Sequence, residues 1–249
     1  MQSALNQFRI SIQRVRDLIA LHNSVKAQAT AALDISDILR SALVLSVSAL
    51  DYYIHEVVTL GMLEIHRGTR PEPPVTNNST QSSFSRFKVS LGSAREDRKI
   101  AIDIESWVIS ELQQSYGDDF LQQSHNISSL MPIIANIILT KLNNNSWLEA
   151  EIRENLSYKS FQDPDKIAEA IRYISHKKLW QEVADNLGRT DKDIKQQLKL
   201  IVDRRNKIAH EADIDPTLNL GNRWEIDESM VNDTVDFIEQ VVEAIHQIL

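Results

Sequence analysis

Apolar residues recur along this chain at intervals of three and four, the period of a helix with one buried face. Leu5, Phe8, Ile12, Val15, Leu18 or Ile19, and Val25 keep that spacing and predict a helix from about Ala4 to Gln28. A second predicted helix, about Asp37 to His66 with Asp34 or Ser36 as its cap, is apolar nearly all round: Ile38, Leu39, Leu43, Val44, Leu45, Val47, Leu50, Ile54, Val57 and Val58. A helix with no polar face belongs at the centre of a bundle. From Ile194 a stripe runs through Leu198, Ile201, position 205 and Ile208, on a helix opened by Thr190 or Asp191. The last helix opens at Asp227 and carries Met230, Val231, Val235, Phe237 or Ile238, Val241 or Val242, and Ile245.

Between these pairs, the three prolines and the Asn, Ser and Thr residues of Arg70 to Ser83 predict an exposed loop. Helices are then expected from Ser93 through Ile100, Ile104, Trp107, Val108 and Leu112 to a stop at Tyr116-Gly117, and over Ser129 to Leu142, Ser146 to Leu156, and Pro164 to Leu187 before Gly188. The segment from Asp213 through Pro216 to Trp224 is a loop long enough to shape a cleft.

Composition sharpens the class. Six glycines and six prolines in 249 residues are few, so the chain is expected to be all-α with almost no strand. Cysteine is absent, which removes disulfides, thiolate metal sites and a cysteine nucleophile. Met1 to Ile10 lacks the apolar core of a signal peptide, and the run Leu130 to Leu139 is too short to span a bilayer, so a cytoplasmic protein with no membrane partner is expected. The net charge of -8 argues against broad nonspecific nucleic-acid affinity and leaves room for a local basic cleft.

Arg205 breaks the apolar stripe of its helix. A guanidinium on a packed seam must be paired, hydrated in a cleft, or turned to a partner, because an unpaired buried charge is costly. Arginine clamps phosphate and histidine moves protons near neutral pH, so Arg205-Asn206 followed by His210 points to RNA cleavage. The spacing sets a geometric condition. At about 100° per residue, Asp203, Asn206 and His210 share a face, and Arg205 points roughly 140° away from His210. Either the helix breaks before His210, or two copies face each other across a two-fold axis.

Arg, then four to six intervening residues, then His occurs about once per shuffled chain of this composition; Arg-Asn with His four after the Asn occurs roughly 0.03 times. A purely structural account also fits the residues alone, with Arg205 and Asp203 as salt-bridge partners and His210 as a cation at a helix C-terminus. On the second helix Ser41, Ser48, Asp51 and His55 form a polar line; Asp51 is a candidate to orient His210 or Arg205, against a buried hydrogen-bond network or an exposed strip. Lys192, Lys195 and Lys199, with Arg204 and Lys207, either guide an RNA backbone or form a solvated face. Trp224 either stacks a base or anchors its loop. The remaining histidines have no ligand spacing, and neither metal nor cofactor is expected.

Arg205-Asn206-Lys207-Ile208-Ala209-His210 resembles the Arg-Asn-x3-His form of the HEPN superfamily motif, on a late helix followed by one last helix. Leu45-Ser46-Val47-Ser48-Ala49-Leu50-Asp51-Tyr52-Tyr53-Ile54-His55-Glu56 resembles the early core helix of the RiboL-PSP branch. The resemblance implies one antiparallel HEPN-type bundle over 1–249, with its core at about 4–68 and 190–249, a loop at about 69–83, and a helical insertion at about 84–188. It implies a metal-independent endoribonuclease of a toxin or antiviral-defence type that works as a homodimer and leaves 2',3'-cyclic phosphate ends. Arg205, Asn206 and His210 would be catalytic, Asp51 and Arg204 supporting, and Lys207 and Lys199 RNA-binding. The alternative is a noncatalytic module that binds RNA or nucleotide, or scaffolds a partner such as a nucleotidyltransferase antitoxin. Some family toxins carry a tyrosine two residues after the histidine; here Glu211-Ala212 follows, so control through that tyrosine is not expected.

Overall fold

The structure is a computed structural model that describes residues 1–28, 33–75, 82, 84, 87, 108–109, 111–143, 145–217 and 221–249. Within them the helices are α1 (Gln2–Gln28), α2 (Ser36–His66), α3 (Ile127–Asn143), α4 (Asn145–Ser157), α5 (Pro164–Ile171), α6 (Leu179–Leu187), α7 (Asp191–Glu211) and α8 (Glu228–Ile248), with one 3-10 turn at Phe120–Gln122. The only β pairing among the described residues is the isolated antiparallel bridge between Ile214 and Arg223. The all-α expectation therefore holds.

The chain divides into two compact units, residues 1–84 with 159–249, and residues 85–158. The first is a bundle around α2, which packs on α1, α5, α7 and α8. Its apolar circumference is the reason: Leu39, Leu43, Val47, Leu50, Tyr53, Ile54, Val57 and Val58 are all buried. By length and composition α2 is able to cross a bilayer, yet 56% of its most apolar window is buried among its neighbours, as suits a core helix. Helix directions follow from charged pairs. The Met1 ammonium meets Glu64, so α1 runs antiparallel to α2. Arg9 binds Glu243 and Arg16 binds Asp236, so α1 is antiparallel to α8 as well.

In the second unit, α3 and α4 pack on each other, and Leu112, Ile152 and Leu156 are buried. Residues 111–116 are helical, and Gly117, at φ +91°, ends that run with its N–H on the Gln113 carbonyl. The start expected at Ser93 lies outside the described residues.

Residues 159–188 fall in the same compact unit as the bundle. Two expectations about elements are corrected. The single helix expected over Pro164 to Leu187 is two, α5 and α6, separated by a turn in which Ile174 is buried. A straight helix of that length, about 36 Å, would carry one half off the bundle. Breaking it lets Ile167 and Ile171 of α5 and Trp180 and Val183 of α6 all reach the core, and Trp180 Nε1 donates to the Pro164 carbonyl at 2.8 Å to fix the return. The N-cap position of α2 is Ile35, without a side-chain cap; Asp34 accepts instead from the Ser36 N–H at 2.9 Å.

Candidate functional site

The motif helix α7 is capped by Thr190, whose hydroxyl accepts from the Asp193 N–H at 3.1 Å, and it continues unbroken through His210 to Glu211. Ile194, Leu198 and Ile201 are buried as the stripe requires, and then the seam opens: Arg205, Asn206 and Ile208 are half-buried. His210 is exposed. Because the helix does not break, Arg205 and His210 of one chain remain on different faces, roughly 140° apart about the axis.

Arg205 lies against its neighbour in sequence, with Nη1 donating to Asn206 Oδ1 at 3.0 Å. Its Nε is buried with no acceptor, the one such side-chain N or O atom among the described residues. Arg205 and Asn206 line a cavity of about 240 Å³ together with Ser160, Gln162, Lys166 and Lys199. The opposite wall is thus the strap 160–166, leading into α5.

Asp51 does not meet His210 or Arg205, the partners expected for it. Its Oδ1 accepts from the Phe161 N–H at 2.6 Å and its Oδ2 from Gln162 Nε2 at 3.2 Å, while His55 Nε2 stands 3.6 Å away. The His55 ring lies against Phe161 with centroids 4.5 Å apart. Burial pushes His55 below its ordinary value, with Asp51 and a backbone hydrogen bond to Lys159 opposing. Ser41 and Ser48 return their hydroxyls to the Asp37 and Val44 carbonyls of their own helix.

Arg204 is likewise occupied, by a buried triad rather than by a phosphate site. Asp213, 1% exposed, accepts from both terminal nitrogens of Arg204 and from Arg40 Nε at 2.6 Å. Arg40 and Arg204 also donate to the Trp224 carbonyl. Burial lowers the Arg204 pKa; Asp213 opposes that shift and Arg40 adds to it. The triad explains the backbone after His210: Ala212 and Asp213 take φ of +52° and +58°, a double left-handed turn that swings the Asp213 carboxylate back into the bundle. Arg223 ties the same loop to Asp34 and Asp37 at the start of α2; the hydrogen bonds from the Ser36 hydroxyl and N–H, with a smaller contribution from Arg223, hold Asp34 down to about 2.

Lys207 is placed over the Trp224 ring, Nζ 4.5 Å from its centroid, which makes Trp224 an anchor for the loop and removes Lys207 from the cavity. Lys195 faces Asp165 at 3.9 Å. Lys199 is exposed at the cavity rim. The structure therefore brings together Arg205, Asn206 and Lys199, and separates from them His210, Asp51, Arg204 and Lys207.

Sequence reasoning missed Arg40, Asp213 and the strap 160–166. Arg40 carried a legible signal, a cation in the apolar circumference of α2, the same anomaly that drew attention to Arg205. Among the described residues, no group of three or more His, Asp and Glu side chains is arranged to hold a metal ion.

A family model described as RiboL-PSP-HEPN matches residues 9–249, both motif segments and the region between them included. The chain belongs to that family. Membership in RiboL-PSP-HEPN points to an RNase-like or nucleotide-binding module. No curated protein and no solved structure matches the chain.

Proposed function

We propose that this RiboL-PSP-HEPN protein is a metal-independent endoribonuclease whose active site is completed by a second copy of the chain. The observation that carries the reading is the unbroken α7, which holds Arg205 with an unpartnered Nε at a cavity and His210 exposed on a different face. One chain cannot aim both groups at a single phosphate; two chains facing across a two-fold axis can pool them.

In such a site His210 of one protomer removes the proton of the 2'-hydroxyl, and the freed oxygen attacks the adjoining phosphorus. The bond from phosphorus to the 5'-oxygen breaks, and His210 of the partner subunit, in its protonated form, donates to that oxygen. The products are a 2',3'-cyclic phosphate and a 5'-hydroxyl. Arg205 stabilises the charge that grows on the phosphorane, and Asn206 holds the guanidinium through its 3.0 Å hydrogen bond. The biological setting we propose is a cytoplasmic toxin or antiviral-defence effector, restrained by a partner protein.

The test incubates wild type, His210→Ala and Arg205→Ala with mixed RNA in EDTA. Wild type is expected to leave cyclic phosphate ends, with losses of about 10²–10⁴-fold for His210→Ala and about 10²–10³-fold for Arg205→Ala. Equal cutting by all three refutes the reading. The same divergence of Arg205 and His210 favours the alternative in a strictly monomeric protein: wild type that binds RNA, nucleotide or a partner, cuts nothing and stays monomeric in light scattering is a noncatalytic module.

A further inference from the structure

The cavity beside Arg205 holds more cation than catalysis at one phosphate uses. Lys166, on the first turn of α5, and Lys199, on α7, both line it, and among the described residues neither ammonium has a carboxylate partner. Lys199 stands six residues before Arg205, about 9 Å along the helix axis, which is too far for both to grip one phosphate from the same side. Of the two carboxylates at the cavity, Asp163 is occupied as the α5 N-cap, accepting from the Asp165 and Lys166 N–H groups at 2.9 and 3.4 Å. Those amides are therefore satisfied, and an anion here would be held by side chains rather than by the helix terminus. In a chain of net charge -8, this cavity has a cationic excess of one, Lys166, Lys199 and Arg205 against Asp163 and Asp203.

The wall opposite α7 is held in place from below. Phe161 and Gln162 are buried, and both are hydrogen-bonded to Asp51, one through its backbone N–H and the other through its side-chain amide. The bond from Trp180 to the Pro164 carbonyl fixes the other end of the strap.

We propose that this cavity is the subsite for the RNA phosphate adjoining the one that is cut, with Lys166 and Lys199 as its cations and Asp51 as the positioning residue that holds the 160–166 wall at the right distance from α7. The inference rests on the ribonuclease reading above. It extends that reading to substrate binding, and it gives Asp51 a role that acts through the strap rather than on His210.

The experiment uses the full chain in a His210→Ala background, so that RNA is not consumed, and titrates labelled total RNA by filter retention at several salt concentrations. Lys166→Gln/Lys199→Gln is expected to weaken retention about tenfold or more and to lower the slope of log affinity against log salt by about 0.7 for each phosphate no longer neutralised. Lys26→Gln, an exposed cation of α1 outside the cavity, is the control and is expected to change affinity less than twofold. Asp51→Ala is expected to weaken binding and, combined with the lysine pair, to add little further, since the wall then has no cations to present. Asp51→Asn, which keeps an acceptor for the Phe161 N–H, is expected to restore most of the binding.

Unchanged retention by the lysine pair, while wild type with His210 intact still cuts RNA, overturns the subsite and leaves the ribonuclease reading standing. Fully additive losses from Asp51→Ala and the lysine pair overturn the positioning role. Wild type that neither binds nor cuts RNA overturns both proposals.

Discussion

Replacing Asp213 by Asn removes one negative charge from between two arginines. Asp213 is 1% exposed, and the Arg40 side chain retains only 7% of its accessible surface. Asn keeps the shape and one acceptor oxygen, so the main change is electrostatic: two guanidinium groups are left facing each other in a poorly hydrated pocket. Breaking a buried pair by removing one partner costs about 3–5 kcal/mol, a large part of a total stability of about 5–15 kcal/mol. At roughly 2–4 °C per kcal/mol for a domain of this size, the expected fall in melting temperature is about 6–20 °C. Arg40→Met should recover part of it, because it removes the like charge that lowers the Arg204 pKa. The assay is thermal unfolding of Asp213→Asn, Arg40→Met and the double variant. A fall below about 2 °C for Asp213→Asn, or strictly additive single and double variants, would refute the triad as the anchor of the α7 terminus.

Two further outcomes are expected. A Cβ at Gly61 would stand 2.7 Å from Ile174 Cγ2 and 2.9 Å from its Cδ1, so Gly61→Ala should cost about 1–3 kcal/mol of overpacking, offset by up to about 1 kcal/mol of helix propensity; in urea melts, Ile174→Ala should cost less in that background than in wild type. Burial holds His55 in the folded chain below its ordinary value of about 6.5, so between that lowered folded-state value and the ordinary one the unfolded chain binds more protons than the folded one; stability should rise with pH through this window and be lost as pH falls, and His55→Gln should flatten the slope measured by thermal melts from pH 5 to 7.

The sequence determined the periodic elements. Each depends on residues three and four apart, which is local information: the faces of α1, α7 and α8, the circumference of α2, and the caps Thr190 and Asp227 were all legible. It also singled out Arg205, because a charge within an apolar stripe is visible without knowing its neighbours. The roughly 140° between Arg205 and His210 was fixed by residue spacing once α7 proved continuous. What only the tertiary structure decided was where each charged side chain finds its counter-group. Asp51 reaches Phe161 and Gln162, more than a hundred positions away, and Arg40 reaches Asp213 across 173. Nothing local distinguishes those partners from the ones Asp51 and Arg204 were expected to take. The break between α5 and α6 belongs to the same class, since no glycine or proline marks it and the burial of Ile174 and Trp180 against the bundle produces it. Helical period is a property of neighbours in sequence; ion pairs and cavity walls are properties of neighbours in space, and only the folded chain makes the second kind.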